Sequence, residues 1–83
     1  MEFVAEIDIM PKKELLDPQG KAVAQGLQRL DLNSIHEVRV GKHISLKITA
    51  NSEDGAREIA EEACKKLLAN QIMESYHFEI HKG

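Results

Sequence analysis

The chain contains 83 residues, of which 42% are hydrophobic and 30% are charged, enough apolar material for one modest core. Eleven basic and 14 acidic side chains give a net charge of −3, which argues against general nucleic-acid binding because phosphate contacts need clustered cations. A single cysteine excludes a disulfide within the chain and favours a reducing compartment. No apolar run approaches the roughly 18 residues that cross a bilayer, and the N-terminus does not resemble a signal peptide. We therefore expect one cytoplasmic domain spanning residues 1–83 that binds neither nucleic acid nor membrane.

The first half of the chain predicts a strand followed by a helix. Alternating apolar and polar residues indicate a strand over residues 2–10, which Pro11 ends because proline lacks a backbone donor. Residues 12–16 form a short connector. Asp17 and Pro18 are typical of the N-cap and first position of a helix, and apolar residues at helical spacing from Val23 onward extend it to about residue 31.

The second half predicts two strands, a helix and a last strand. Residues 35–40 form the second strand, the Gly-Lys pair at 41–42 a two-residue hairpin turn with a positive φ, and residues 43–50 a strictly alternating third strand. Ser52 is the expected N-cap of a second helix with a continuous apolar stripe, which Asn70 closes. Alternation over residues 76–81 predicts the fourth strand.

The order β-α-β-β-α-β is typical of an α+β, ferredoxin-like fold. We expect a two-layer sandwich in which a four-stranded antiparallel sheet carries both helices on one face. The first strand would lie between the third and the fourth, so that its acids face lysine and histidine on both neighbours across an uncovered sheet face. The polar residues predicted on that face are Glu6, Asp8, His43, Lys47, His77, Glu79 and His81.

No motif predicts an active site, a metal site or a bound cofactor on this chain. Cys64 lies on the apolar stripe of the second helix, away from any base, so we interpret it as core packing. His77 and His81 are about 13 Å apart along one strand, too far to share an ion directly, and pairing either with His43 leaves no third ligand. The Gly-Lys pair at 41–42 lacks the rest of a phosphate-binding loop. The chain therefore predicts a binding or assembly module.

Three segments carry a resemblance to a known family. They are Leu-Leu-Asp-Pro-Gln-Gly-Lys-Ala-Val at 15–23, Glu-Val-Arg-Val-Gly-Lys at 37–42 and Lys-Leu-Leu-Ala-Asn at 66–70. The combination of the first two at this spacing is specific, and the likeness covers nearly the whole chain. The chain resembles the PurS family, the small subunits of the multi-subunit phosphoribosylformylglycinamidine synthase of purine biosynthesis.

The resemblance implies a subunit of a glutamine-dependent C–N ligase that has no active site of its own. The family's complex converts formylglycinamide ribonucleotide, ATP and glutamine to formylglycinamidine ribonucleotide, ADP, phosphate and glutamate. A large synthetase subunit uses ATP with magnesium, and a glutaminase subunit releases ammonia with its own cysteine. The small subunit would hold no cofactor, form a homodimer or higher homo-oligomer, and join the other two subunits while supporting ammonia transfer.

The resemblance also marks two motifs as candidate subunit-interface residues. They are Asp17, Pro18, Gln19, Gly20 and Lys21 at the helix start, and Arg39, Gly41 and Lys42 at the hairpin. Helix capping by itself explains Asp17 and Pro18, so capping and partner contact both stay open for the first motif. The turn explains Gly41, whereas Arg39 and Lys42 are either interface groups or solvated charges.

Two functional hypotheses follow from different classes of protein. The first is a non-catalytic, homodimeric assembly subunit of the synthase. The second is a free-standing dimeric regulatory domain that binds a small metabolite at its dimer interface. Glutamine-dependent turnover by the two larger subunits, with and without this chain, distinguishes the two.

Overall fold

The computed structural model describes all 83 residues as an α+β fold with a three-stranded antiparallel sheet and two helices. The elements are β1 (Glu2–Pro11), α1 (Pro18–Arg29), β2 (Lys42–Thr49), α2 (Glu53–Ala63), a π-helical segment that continues α2 (Cys64–Leu68), and β3 (Glu74–Lys82). Neither helix has the length and apolar run needed to cross a membrane.

The central position of β1 is confirmed, because the sheet order is β2-β1-β3. Ile7 pairs with Ile44 on one side and with Phe78 on the other, which sets the inward register of both ladders. Alternation along β1 then places four of its apolar residues on one face, where they are almost completely buried. These residues are Phe3, Ala5, Ile7 and Ile9.

Helix α2 covers the inner face of the sheet through small side chains. Ser52 begins the helix as predicted, its Oγ accepting the N–H of Gly55 at 3.1 Å. Ala56, Ala60 and Cys64 follow at four-residue intervals and are fully buried against the strands. These short side chains form the core of the chain together with the apolar residues of β1, while Ile44 and Leu46 of β2 stay partly buried at its side.

The predicted second strand, over residues 35–40, and the hairpin turn after it are not present in this structure, so the sheet has three strands instead of four. Residues 35–41 join no sheet ladder, and the N–H of Val40 is donated to a carboxylate oxygen of Asp17 instead of to a neighbouring strand. Gly41 does not have the positive φ that the predicted turn requires. A side chain far away in sequence has satisfied the backbone, which local alternation does not reveal.

The prediction that both helices lie on the sheet is also wrong, because α1 makes no substantial contact with the sheet or with α2. The chain is elongated, with extents of 52 × 25 × 14 Å. Its radius of gyration is 16.3 Å, against about 12 Å for a compact chain of this length. Val23 and Leu30 on the apolar stripe of α1 remain 45% and 70% exposed. The helix is amphipathic as predicted, but nothing within the chain covers it.

Candidate functional site

The two motifs, about twenty residues apart in sequence, meet at the start of α1. Asp17 has extended backbone geometry and caps the helix, with its Oδ1 accepting the N–H of Gly20 at 3.0 Å. Its Oδ2 accepts the N–H of Val40 at 2.9 Å. The hydrogen bonds from Gly20 and then Val40 lower the pKa of the Asp17 carboxyl, since they favour its charged form. Asp17 is therefore a clamp between α1 and the segment that leads into β2, as well as the predicted cap.

Both motif glycines are required for close backbone approach. A Cβ on Gly20 would lie 2.1 Å from the carbonyl oxygen of Val38, and one on Gly41 would lie 2.3 Å from the carbonyl oxygen of Ile9. Neither glycine has a positive φ, so backbone conformation does not require glycine at either position. Other residues are excluded because their Cβ would clash with a neighbouring carbonyl oxygen. The structure thus gives Gly20 a role that capping did not explain and replaces the turn at Gly41 with a packing contact.

Arg39 and Lys42 make contacts within the chain. The Arg39 guanidinium donates to the carbonyl of Pro11, at the end of β1, and this fixes the segment before β2 against the end of that strand. The Lys42 Nζ lies 3.8 Å from an oxygen of Glu74, a half-exposed pair of the kind that contributes little to stability. Arg39 therefore has a structural role that neither sequence alternative anticipated.

Two motif residues, Gln19 and Lys21, are left without a side-chain contact that explains them. Pro18 occupies the first turn of α1, as predicted, where its missing N–H is harmless. Gln19 and Lys21 project to solvent beside it and make no side-chain hydrogen bond. The fold uses the buried side of this motif and leaves its outer side free.

A hydrophobic surface next to the motifs was missed at the sequence level. Leu15 and Leu16, assigned to a connector, stand exposed between two shallow depressions, and Met73 from the α2–β3 turn lines one of them. The N–H of Lys12 donates to the carbonyl of Met73 at 2.9 Å, which holds the connector against that turn. The available signal was a pair of adjacent leucines inside a short polar connector.

The uncovered sheet face has only part of the predicted cross-strand pairing, since Asp8 faces His43 and His77 whereas Glu6 faces Ser45 and Glu79. The His43 ring lies between two β1 carboxylates, 2.7 Å from Asp8 and 2.5 Å from Glu6. The hydrogen bonds to Asp8 and then Glu6 raise the pKa of His43, while Ser45 and then His43 lower the pKa of Glu6. No three histidine, cysteine or carboxylate side chains come together in an arrangement that could hold a metal ion.

The interpretation of Cys64 as core packing is confirmed. Its side chain has no exposed surface and belongs to the central apolar cluster. Burial, with a smaller effect of the Glu61 charge, raises the pKa of the thiol, so the thiolate that nucleophilic chemistry needs is disfavoured. The residue contributes to the α2–sheet contact and offers no reactive group to a substrate.

Comparison with known proteins agrees with the sequence motifs. Residues 4–82 match the family model described as PurS: Phosphoribosylformylglycinamidine (FGAM) synthase. A PurS subunit of that synthase from Synechocystis is 42% identical over 94% of this chain and 78% of its own length. The structure of PurS from Thermus thermophilus superposes with a TM-score of 0.87 at 37% identity, covering 100% of this chain and 99% of the other.

One structural relative comes from a larger assembly. A chain in the structure of PurLQS from Thermotoga maritima superposes with a TM-score of 0.85 at 29% identity. The match covers 100% of this chain and 99% of that one. Family model, identity and structure agree over essentially the whole length. The chain belongs to the PurS family.

Proposed function

We propose that this chain is the small subunit of a cytoplasmic phosphoribosylformylglycinamidine synthase and joins its synthetase and glutaminase subunits. The observation that carries the proposal is the likeness over residues 4–82 to PurS subunits of that synthase. The PurLQS assembly from Thermotoga maritima, in which a chain of the same fold occurs, supports a place in a three-component complex. The reaction consumes formylglycinamide ribonucleotide, ATP and glutamine.

The chain's own chemistry supports a non-catalytic role. Its single thiol is buried and its pKa is raised, so glutamine hydrolysis is assigned to a partner. The Asp17 carboxylate and the Arg39 guanidinium both bind backbone groups of this chain. In agreement with the family resemblance, we assign ATP, magnesium and glutamine to the larger subunits. The small subunit would act by position, holding the ammonia source close to the activated amide.

Self-association accounts for the uncovered apolar surface of α1. Val23 and Leu30 are exposed, and the inner sheet face beside α2 leaves Ile44 and Leu46 only half buried. We infer that α1 of one copy covers the sheet of a second copy, which completes between two chains the two-helix layer of a ferredoxin-like arrangement. A chain this small gains much of its stability from such burial.

Light scattering tests the homodimer. The wild-type mass should be well above the 9.3 kDa of one chain at micromolar concentration. Leu30→Lys should lower it, because a charge on the apolar stripe would have to be desolvated in the interface. Gln25→Lys, on the opposite side of the same helix, is the matched control and should leave it unchanged. A wild-type mass of 9.3 kDa would refute self-association.

Reconstitution with the two larger subunits tests the joining role. Product formation is measured with glutamine and, separately, with ammonium chloride, each with and without this chain. The chain should be required for the glutamine-dependent rate and far less for the ammonia-dependent rate, because only the former needs two joined active sites. Glutamine-dependent turnover that is unchanged without the chain would contradict the proposal and favour the metabolite-binding alternative.

A further inference from the structure

The outer surface around the β1–α1 connector combines apolar and basic side chains. Leu16 is 73% exposed, and Leu15 and Met73 are exposed beside it. On the other side of the two leucines is a depression bordered by basic residues. We call this surface the connector face; it comprises Leu15, Leu16, Met73, Lys12, Lys13 and Lys21.

Charge around this basic depression is opposite in sign to that of the remaining chain. Four cations and two carboxylates line the depression, with Arg39 as the fourth cation. The chain as a whole has 11 basic and 14 acidic residues, so the remainder has seven cations against twelve carboxylates. One of the two carboxylates, Asp17, and one of the four cations, Arg39, already bind backbone groups of this chain, which leaves three lysines and Glu37. The half of the face around this depression is thus a local positive region on an acidic protein, whereas the depression lined by Met73 has the Glu74 carboxylate and no cation.

The backbone beneath this face is fixed. The connector is held to the α2–β3 turn by the Lys12–Met73 hydrogen bond, and Leu15 donates to the carbonyl of Lys12 at 3.1 Å. The Asp17 clamp fixes its other end. A surface ordered before binding loses less conformational entropy when a partner docks, so these leucines are suited to act as anchors.

From these features we propose that the connector face docks a segment of a partner subunit that presents apolar side chains flanked by carboxylates. This rests on the proposed function and identifies the surface that carries it. Charge complementarity selects an acidic partner, and the exposed leucines and methionine select apolar anchors. Docking here also accounts for Gln19 and Lys21, the motif residues for which the fold has no use.

Two matched pairs of variants test the proposal in the intact complex. Lys13→Glu/Lys21→Glu reverses charge on the connector face, and Lys47→Glu/Lys65→Glu makes the same net change elsewhere. Leu16→Ser removes an apolar anchor, and Leu67→Ser removes a leucine that is 82% exposed on the π-helical segment. Binding to the synthetase and glutaminase subunits, singly and together, is measured by calorimetry at several salt concentrations. Light scattering reports the oligomeric state of every variant.

The two connector-face variants should each weaken binding by about tenfold or more, the effect of one lost anchor or buried charge pair. The control variants should stay within about twofold. The charge-reversed variant should also show a weaker dependence of affinity on salt.

Equal binding by all four variants would overturn the proposal that the connector face docks a partner, while leaving the joining role intact. Wild-type protein that binds neither subunit would refute the proposed function itself, and with it this surface. A connector-face variant that becomes monomeric would identify the face as a contact between copies, which also overturns the proposal.

Discussion

The close approach at Gly20 gives a prediction with an internal control in the same helix. In Gly20→Ala the new Cβ would lie 2.1 Å from the Val38 carbonyl oxygen, whereas ordinary contact begins at 3.4 Å. Since a backbone carbonyl cannot rotate away, α1 and the segment before β2 must separate by more than 1 Å. In Gly26→Ala the new Cβ has no neighbour within 4 Å in the same chain.

The two substitutions should change the free energy of unfolding in opposite directions. Gly26→Ala should stabilise by about 0.5–1 kcal/mol, because alanine loses less backbone entropy than glycine in a helix. Gly20→Ala has at most the same helical gain and opposes it with about 1–3 kcal/mol of overpacking. We expect a net destabilisation of about 1–2 kcal/mol and a difference of about 1.5–3 kcal/mol between the two variants.

Urea unfolding at one fixed protein concentration measures both variants, since self-association would otherwise alter apparent stability. Hydrogen exchange of the α1 amides shows whether the loss is local to that helix. Gly20→Ala should speed exchange throughout α1. If the two alanine variants are equally stable and equally protected, the proposed packing of α1 against the segment before β2 is incorrect.

Three further predictions concern titration and reactivity. The pKa of His43, followed by NMR, should lie above its ordinary value and should fall in Asp8→Asn. The stability contributed by this group is complete below the ordinary pKa and is lost as pH rises through the raised pKa. An unshifted pKa would contradict the cross-strand contact of His43 with Asp8 and Glu6. Tyr76, whose hydroxyl donates to Glu61, should ionise at a pKa of about 12 in an ultraviolet titration and closer to 10 in Glu61→Gln. Cys64 should react with a thiol reagent only at the rate of unfolding, because its side chain is buried. The Cys64→Ala variant should keep the glutamine-dependent activity of the complex. Fast labelling or lost activity would contradict the assignment of Cys64 to the core.

Local patterns identified most elements correctly. Alternation along β1 put its apolar residues on the buried face, and the Ser52 and Asp17 caps begin the helices where they were expected. These predictions succeed because period and capping depend on neighbours a few residues away. Residues 35–40 have the same kind of pattern and still form no strand, because the Val40 N–H is satisfied by Asp17, 23 residues earlier.

The site shows the same division. The motifs identified Asp17, Gly20 and Arg39 as special. Apart from the Asp17 cap, their contacts were not predictable, since the partner atoms belong to segments distant in sequence. Leu15 and Leu16 are adjacent and belong to no regular apolar repeat, so the sequence did not predict that they form an exposed surface. Its prominence arises only when the connector is held against the α2–β3 turn.

By itself the sequence determined a small α+β chain with a buried thiol, amphipathic helices and the motifs of its family. Only the tertiary structure decided that α1 stands away from the sheet and that the motif glycines serve close packing. It also decided which motif side chains remain free for a partner. The physical reason is that propensity and period act over one or two turns, whereas contact between segments twenty residues apart depends on how the whole chain closes.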